Sequence, residues 1–227
     1  MRLRIASYNI HKAVGLDQRR DPARILEVLN GIAADVVVLQ EADRRLGTRP
    51  SALPRFLIAQ ETDYRVVDLA RTDVSLGWHG NAVLVRPGLE VTKADHIELP
   101  GLEPRGAVRV DLAGGITVVG THFGLLRPWR IRQQRAIRDA LSQQAVRTVI
   151  AGDFNEWAAR TGFEPWDGIF EVHAPGRSFH TARPLAALDR FALGRDVILH
   201  RADVTQTGAA RVASDHLPVW AEVALRD

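Results

Sequence analysis

The chain has 227 residues, of which 46% are hydrophobic and 25% are charged, and it contains no cysteine. This composition is typical of a soluble globular protein, and the lack of cysteine excludes disulfides, thiolate nucleophiles and cysteine-ligated zinc. Lysine and arginine number 30 against 27 acidic residues, a balance that does not indicate a general nucleic-acid coat. The sequence has neither an apolar run long enough to span a membrane nor a signal-peptide pattern, so we expect a cytoplasmic location.

The first part of the chain predicts alternating strands and helices. Arg2 to Ile10 alternates in the manner of a strand, and Asp21-Pro22 opens a helix as N-cap and first-turn residue. Asp35 to Leu39 is a short apolar run, typical of a strand buried on both faces. A second helix is expected from Ser51 to Glu61. Further strands are predicted at Tyr64–Ala70, Asn81–Arg86 and Val91–Leu99.

The second part of the chain repeats this arrangement. The strands predicted at Arg105–Leu112 and Ile116–Thr121 flank Gly114-Gly115, which is a hairpin signal. An amphipathic helix is expected at Pro128–Val146, followed by a buried strand at Thr148–Ala151.

The last predicted elements are three strands. Those at Asp189–Leu193 and Val197–His200 flank Gly194-Arg195 and are expected to form a second hairpin, and His216–Leu225 is the final strand. No linker or low-complexity tract divides the chain, so we predict one domain over residues 1–227. The two similar parts predict mixed sheets with helices on their outer faces.

Polar side chains stand at the ends of these apolar strands. They are found in Ser7-Tyr8-Asn9-Ile10-His11, Gln40-Glu41, Thr121-His122, Asp153-Phe154-Asn155 and Asp215-His216, and Asp189 begins a strand. Because a buried charge is costly unless it is paired or bound to a metal, several such segments together suggest one convergent site.

The residue types in these segments suggest phosphoryl chemistry. The oxygens of Glu41, Asp215 and Asn9 suit Mg²⁺ or Mn²⁺ better than zinc. The histidines and the other carboxylates could move protons and stabilise charge, as the attack of water on phosphorus requires. The sequence contains no Walker A loop and no GxSxG nucleophile motif.

Each of these residues also has a purely structural interpretation. Asn9, Asp153 and Asp215 could be turn residues, Glu41 a solvated strand end, and His122 a structural histidine. The number and order of the segments favour a shared site.

In the same chain order, the segments resemble the motifs of the endonuclease/exonuclease/phosphatase superfamily, which has the DNase I-like fold. The resemblance runs from Ser7 to Val219, and GDFN at 152–155 together with SDHLPV at 214–219 are its most specific parts. Asn9-Ile10-His11-Lys12 and Glu103-Pro104-Arg105-Gly106-Ala107 resemble a group of small bacterial metal-dependent hydrolases within it. The resemblance implies a four-layer α/β/β/α sandwich of two mixed β-sheets flanked by helices.

The resemblance also implies a metal site and a general base. Glu41 would be the main ligand of a divalent metal, Mg²⁺ or Mn²⁺, assisted by Asn9 and Asp215. His216 would be the general base, oriented by Asp189.

Further roles concern the phosphate. Asp153 and Asn155 would position the attacking water and the phosphate oxygens, and His122 would donate to a non-bridging oxygen. Asn81 would line the same pocket.

Two cations are predicted to contact substrate phosphates, namely Lys12 and Arg105. Solvent exposure of Lys12, or an ion pair between Arg105 and Glu103, fits the sequence equally well. Phe179 could wall the pocket. The five tryptophans are interpreted as packing residues, and the histidines outside the motifs, His79 among them, as structural or surface residues.

Together these inferences predict a divalent-metal-dependent phosphoesterase that hydrolyses phosphodiester bonds, as nucleases do. The alternative is a phosphatase or phosphodiesterase that acts on phospholipids, phosphoinositides or other small phosphoesters. A non-catalytic binding module is less favoured, because every expected polar residue type is present. The partner would be the phosphoester substrate, with nucleic acid as one candidate, and nothing indicates an obligate protein partner.

The length of the loops suggests how much of the substrate is held. Short connections around the motifs predict that few phosphates are contacted. A groove formed by Arg44, Arg45 and Arg49 beside Glu41 would instead favour duplex DNA.

Overall fold

The computed structural model describes residues 1–44, 48–159 and 161–226, so Arg45 lies outside the described residues. Within these ranges twelve strands form two six-stranded sheets. The strands are β1 (Arg2–Asn9), β2 (Val36–Gln40), β3 (Arg65–Val66), β4 (Ala82–Val85), β5 (Val91–Leu99), β6 (Arg105–Leu112), β7 (Thr117–His122), β8 (Thr148–Asp153), β9 (Phe170–His173), β10 (Asp189–Gly194), β11 (Val197–Val204) and β12 (Val219–Leu225). The α-helices are α1 (Pro22–Ile32), α2 (Arg55–Glu61), α3 (Arg127–Leu141) and α4 (Ala210–Ala213).

Each sheet is mixed and has one parallel pair at its centre. Sheet one has the order β11-β12-β1-β2-β4-β3, and sheet two has the order β5-β6-β7-β8-β10-β9. The parallel pairs are β1–β2 and β7–β8. Parallel neighbours need a long crossover connection, which α1 supplies in sheet one and α3 in sheet two.

The alternation of side chains along β2 shows how the layers are built. Val36 and Val38 belong to the apolar layer between the two sheets, whereas Val37 and Leu39 belong to the cluster that contains residues of α1. This alternation is expected because successive residues of a strand face opposite sides. On the far face of sheet two, Ile137 of α3 packs in a third cluster. The layers therefore run helix, sheet, sheet, helix, which confirms the predicted four-layer sandwich.

A glycine sets the spacing between the sheets close to the polar strand ends. A Cβ atom at Gly120 of β7 would lie 2.6 Å from Cγ1 of Val38 in β2. Any larger residue would push the sheets apart at this point. Glu41 and His122 follow these two positions within three residues, so the same contact sets the distance between their strand ends.

The predicted hairpin at Gly194-Arg195 is wrong. β10 pairs with β8 and β9 in sheet two, whereas β11 pairs with β12 in sheet one. A tight turn makes two strands neighbours along the chain without requiring them to share hydrogen bonds. Here the turn carries the chain from one sheet to the other.

Other differences concern the ends of elements. The strand predicted at Tyr64–Ala70 is reduced to β3, and the second helix begins at Arg55 because Ser51 instead bridges to Asp43. The long helix ends at Leu141 and continues as a 3₁₀ helix, Ser142–Arg147. β9 and α4 were not predicted. Among the described residues, no helix is long and apolar enough to cross a membrane. One domain over residues 1–227 stays a prediction.

Candidate active site

The polar strand ends of both sheets open into one cleft. A cavity of about 260 Å³ is lined by seven of the eight residues predicted to be catalytic or metal-binding. These are Asn9, Glu41, His122, Asp153, Asn155, Asp215 and His216. A neighbouring cavity of about 310 Å³ shares Glu41, Glu103, Arg105 and His122 with the first, so the two are arms of a single cleft.

Asp153, at the end of β8, is the point where the site residues meet. Its Oδ2 accepts a hydrogen bond from Nδ2 of Asn9 at 3.1 Å. Nε2 of His122 lies 3.4 Å from the same oxygen, and Nε2 of His216 lies 3.6 Å from it. Oδ1 of Asp153 accepts from the backbone N–H of Asn155 at 2.9 Å. Because β7 and β8 run in parallel with His122 beside Asp153, the sheet itself aligns these two side chains.

His216 and Asp189 form a buried pair next to this point. Nδ1 of His216 lies 2.8 Å from Oδ2 of Asp189, and that oxygen also accepts from Oγ of Ser178 at 2.5 Å. A carboxylate can only accept, so the proton of the imidazole is on Nδ1 and Nε2 faces the cleft. The ring of Phe179 covers the imidazole at 4.8 Å between centroids, as the expected pocket wall would.

The charges around His216 dominate its pKa. Burial by itself lowers the pKa, but the carboxylates of Asp189, Asp153 and Asp215 outweigh burial and raise the pKa of His216 to about 10. The three acids thus favour the imidazolium, which cannot accept a proton. Positive charge bound in the cleft would lower the pKa of His216 and favour the neutral ring, the form in which Nε2 can act as a base.

The three predicted metal ligands line the same arm of the cleft. The carboxylate of Glu41 pairs with Nζ of Lys12, Oδ1 of Asn9 accepts from the N–H of His11 at 3.1 Å, and Asp215 is partly exposed. No group of three or more His, Asp or Glu spaced for a metal ion occurs in the described ranges. The three predicted ligands together offer two carboxylates and one amide, a combination that would suit Mg²⁺, an ion that keeps several water ligands and takes one or two carboxylates.

The two predicted substrate-binding cations lie in the cleft, and both have carboxylate partners. Lys12 is paired with Glu41, and Nη2 of Arg105 lies 2.7 Å from Oε2 of Glu103. The ion pair that the sequence allowed for Arg105 is thus present, and Arg105 also lines both arms.

The placement of Asn81 differs from the prediction. Its side chain is fully buried and is not part of either cavity wall. Nδ2 of Asn81 donates to the carbonyl of Gly106 at 2.9 Å, and Oδ1 has no hydrogen-bond partner among the described residues. Because Asn81 immediately precedes β4, it faces the neighbouring backbone and positions the start of β6, next to Arg105.

Three residues in or behind the cleft were not recognised in the sequence. Ser178 supports Asp189, as described above. Trp157 is 65% exposed and lines the cleft beside Phe179, so the packing interpretation is wrong for this tryptophan. Its position two residues after the GDFN segment was an available signal. His79 lines the second arm, where its Nδ1 lies 3.1 Å from Nη1 of Arg49.

Comparison with known proteins agrees with the fold and the order of the motifs. A model of the Endonuclease/Exonuclease/phosphatase family matches residues 6–216. The uncharacterized protein YbhP of Escherichia coli K12 is 24% identical over 98% of this chain and 96% of its own length.

Solved structures show the same architecture. An endonuclease/exonuclease/phosphatase from Beutenbergia cavernae aligns with a TM-score of 0.69 and 24% identity, over 99% of this chain and 72% of that one. A mannosyl-6-phosphatase from Bacteroides thetaiotaomicron aligns with a TM-score of 0.72 and 14% identity, over 98% of this chain and all of that one. With the family model matching nearly the whole chain, this protein belongs to the Endonuclease/Exonuclease/phosphatase family.

Proposed function

We propose that this protein is a divalent-metal-dependent phosphoesterase that hydrolyses phosphodiester bonds. The observation that carries the proposal is the Asp189–His216 pair, whose Nε2 faces the same cavity arm as the oxygen ligands Glu41, Asn9 and Asp215. A base oriented by a buried carboxylate, next to hard oxygen ligands, fits water attack on phosphorus. Family membership supports phosphoester hydrolysis as the reaction class.

The reaction would use the residues as follows. Nε2 of His216 takes a proton from a water molecule while the water oxygen forms a bond to phosphorus, and the bond to the leaving oxygen breaks in line. Asp189 keeps the other imidazole proton on Nδ1 and so fixes the basic nitrogen. Asp153 and Asn155 orient the water and the phosphate oxygens. His122, beside Asp153, donates to a non-bridging oxygen.

The metal ion held by the predicted ligands would act through its positive charge. When bound by Glu41, Asn9 and Asp215, Mg²⁺ or Mn²⁺ would supply positive charge to the phosphoryl oxygens.

A second candidate is hydrolysis of smaller phosphoesters, including phospholipids and phosphoinositides. It is favoured by the exposed apolar side chains of Leu125 and Trp157 at the cleft, which suit a lipid or ring portion of a substrate. The mannosyl-6-phosphatase of the same fold supports it further. A binding module without catalysis is disfavoured, because the chain contains His216 with its partner Asp189 and all three predicted ligands, Glu41, Asn9 and Asp215.

The test is a turnover assay on protein stripped of metal and then supplied with Mg²⁺ or Mn²⁺. The substrates are bis-p-nitrophenyl phosphate, p-nitrophenyl phosphate, plasmid DNA, abasic duplex and phospholipid vesicles. Diester cleavage above monoester cleavage is expected, and preference for the monoester or the phospholipid would favour the second candidate.

The metal ligand is tested by Glu41→Gln, which removes the main anionic ligand. We expect it to raise the metal concentration needed for half-maximal turnover, or to abolish turnover. Glu164→Gln is the matched control, because Glu164 is half exposed and paired with Arg127 outside the cleft. Full activity of stripped wild-type protein in excess EDTA would contradict the metal dependence.

A further inference from the structure

Apart from the residues that it shares with the first arm, the second arm of the cleft has no role in the proposed chemistry. It extends from Glu41, Arg105 and His122, and its walls also include Arg44, Arg49 and His79. His216 is not part of these walls. A substrate held for attack at Asp153 could therefore extend into this arm without displacing the base.

The arm is also lined by the carboxylates of Glu41, Asp43 and Glu103, but among the described residues two of its arginines are not ion-paired with them. Nη1 of Arg49 contacts Nδ1 of His79 at 3.1 Å. Arg44 is exposed. Neither arginine forms an ion pair with a carboxylate in the described ranges of the chain. Asp43 lines the same arm and is buried; its Oδ1 accepts the backbone N–H of Leu76 at 2.8 Å, and the charge of Arg49 acts on its carboxylate without an ion-pair contact.

His79 holds the guanidinium of Arg49 in position. Burial and the charge of Arg49 lower the pKa of His79, so its neutral ring can accept a hydrogen bond at Nδ1. The ring of His79 is itself packed edge-on against Trp78, at 4.4 Å between centroids. An arginine fixed in this way loses little freedom when it binds an anion, because its planar donor fork is already oriented.

The backbone of this wall is unusual as well. Lys12, Glu41, Arg49 and His79 have φ angles of 57°, 52°, 54° and 48°. Non-glycine residues adopt this left-handed conformation rarely, and such residues cluster at binding sites. Four of them on one cavity wall indicate that the chain is shaped to present these side chains.

We infer that this second arm binds a further phosphate group of the substrate, on the side of Glu41 away from His216. Arg49 and Arg44 would supply charge-assisted hydrogen bonds to its oxygens. The inference rests on the proposed function, since it takes the scissile phosphate to lie at Asp153. The substrate class would be a phosphodiester with a second phosphate nearby.

The first experiment compares pairs of substrates that differ by one phosphate. TpT is compared with pTpT and with TpTp, and glycerophosphoinositol with its 4-phosphate, which separates a nucleic-acid source of the second phosphate from a lipid headgroup. We expect KM to fall about 10-fold or more on adding the phosphate in at least one pair, as one to two charge-assisted bonds would give. Equal KM values within every hydrolysed pair would overturn the inference.

The second experiment removes the proposed contacts. Arg49→Gln and Arg44→Gln should each reduce the KM ratio of the preferred pair towards one, and Arg49→Lys should keep part of it. Arg195→Gln is the matched control, because Arg195 is exposed and follows the end of β10 opposite to Asp189. It should leave the ratio unchanged. A ratio unaffected by Arg49→Gln in a folded protein would overturn the inference.

A binding measurement separates this inference from the proposed function. Inorganic phosphate is titrated into metal-free protein in EDTA by calorimetry, and Arg49→Gln should weaken binding at least about fivefold while Arg195→Gln does not. If no phosphoester is hydrolysed but this difference is seen, the proposed function fails and the anion site stands. If diesters are hydrolysed but Arg49→Gln changes neither binding nor the KM ratio, the anion site fails alone.

Discussion

The Asp189–His216 pair allows a double-mutant cycle on catalysis. The two residues are 0% and 4% exposed, and their hydrogen bond measures 2.8 Å. A positioned base contributes about 10²–10⁴ in rate, or about 2.7–5.5 kcal/mol of activation free energy at 1.36 kcal/mol per decade. His216→Ala should therefore lower kcat by at least about 10².

Asp189→Asn should cost nearly as much, for a structural reason. Oδ2 of Asp189 accepts from both His216 and Ser178. An amide oxygen in this place could still accept from both donors, but it lacks the negative charge that favours the imidazolium; if the NH₂ group faces the imidazole instead, Nδ1 must become an acceptor and the proton moves to Nε2. The nitrogen that faces the cleft would then carry a proton and could not act as a base.

The double variant distinguishes a pair from two separate contributions. Because the residues act as one unit, the combined loss in kcat should be no greater than the larger single loss. The assay is bis-p-nitrophenyl phosphate turnover at saturating metal, with circular dichroism to confirm folding, and His200→Ala on β11 is the control. Near-normal kcat in folded His216→Ala, or losses that multiply, would refute the assignment.

Further predictions concern the structure around the site. Glu156→Gln should lower the free energy of unfolding by about 3–5 kcal/mol. In the wild type the buried guanidinium of Arg130 lies 2.8 Å from Oε2 of Glu156, and the substitution leaves it without a carboxylate partner. A loss of less than about 1 kcal/mol in the free energy of unfolding, measured with urea, would contradict this. Burial raises the pKa of Glu156, but the N–H of Ala158 and the Arg130 guanidinium outweigh it and lower the pKa below the ordinary 4.5. The stability difference between wild type and Glu156→Gln should therefore be full above pH 4.5 and shrink as the pH falls through the folded pKa; a difference independent of pH would argue against the ion pair. Gly106→Ala would place a Cβ atom 2.1 Å from Cζ3 of Trp78, so we expect a loss of about 1–3 kcal/mol in thermal unfolding, and an unchanged Tm would show that the indole moves without cost. Binding to duplex DNA should show a slope of log K against log salt shallower than about −5, since few phosphates are contacted; a steeper slope would indicate a DNA groove.

Local sequence pattern was sufficient for mixed sheets with helices on their outer faces and for the order of the site residues, whereas the four-layer arrangement was expected from the family resemblance. The short apolar run from Asp35 to Leu39 predicts a strand buried on both faces, and the structure places apolar clusters on both sides of it. The strand predicted at Val91–Leu99 has the same bounds in the structure. Both inferences depend on residues close together in the chain, where periodicity directly reflects burial.

Features that depend on distant contacts could not be predicted in this way. A turn was correctly predicted at Gly194-Arg195. The sheet that each flanking strand joins, however, is decided by pairing partners elsewhere in the chain, such as Asp153 opposite Asp189. Asn81 belongs to a segment that resembles the family motifs, yet the orientation of its side chain is set by the hydrogen bond to the carbonyl of Gly106. Tryptophan is a residue type that usually packs in a core, and Trp157 is exposed because of the path that the loop takes after β8.

The strand order has a consequence for the synthesis of the chain. Sheet two is one continuous stretch from Val91 to Gly194, whereas sheet one needs both early and late strands, with Arg2 opposite Ala224. Contacts so distant in sequence form slowly, and segments made first can fold first. On a ribosome, sheet two could therefore assemble while sheet one still lacks β12. His216, which directly precedes β12, reaches Asp189 and Asp153 after both have been made, so a nascent chain would gain hydrolytic activity only once its final strand had closed the first sheet.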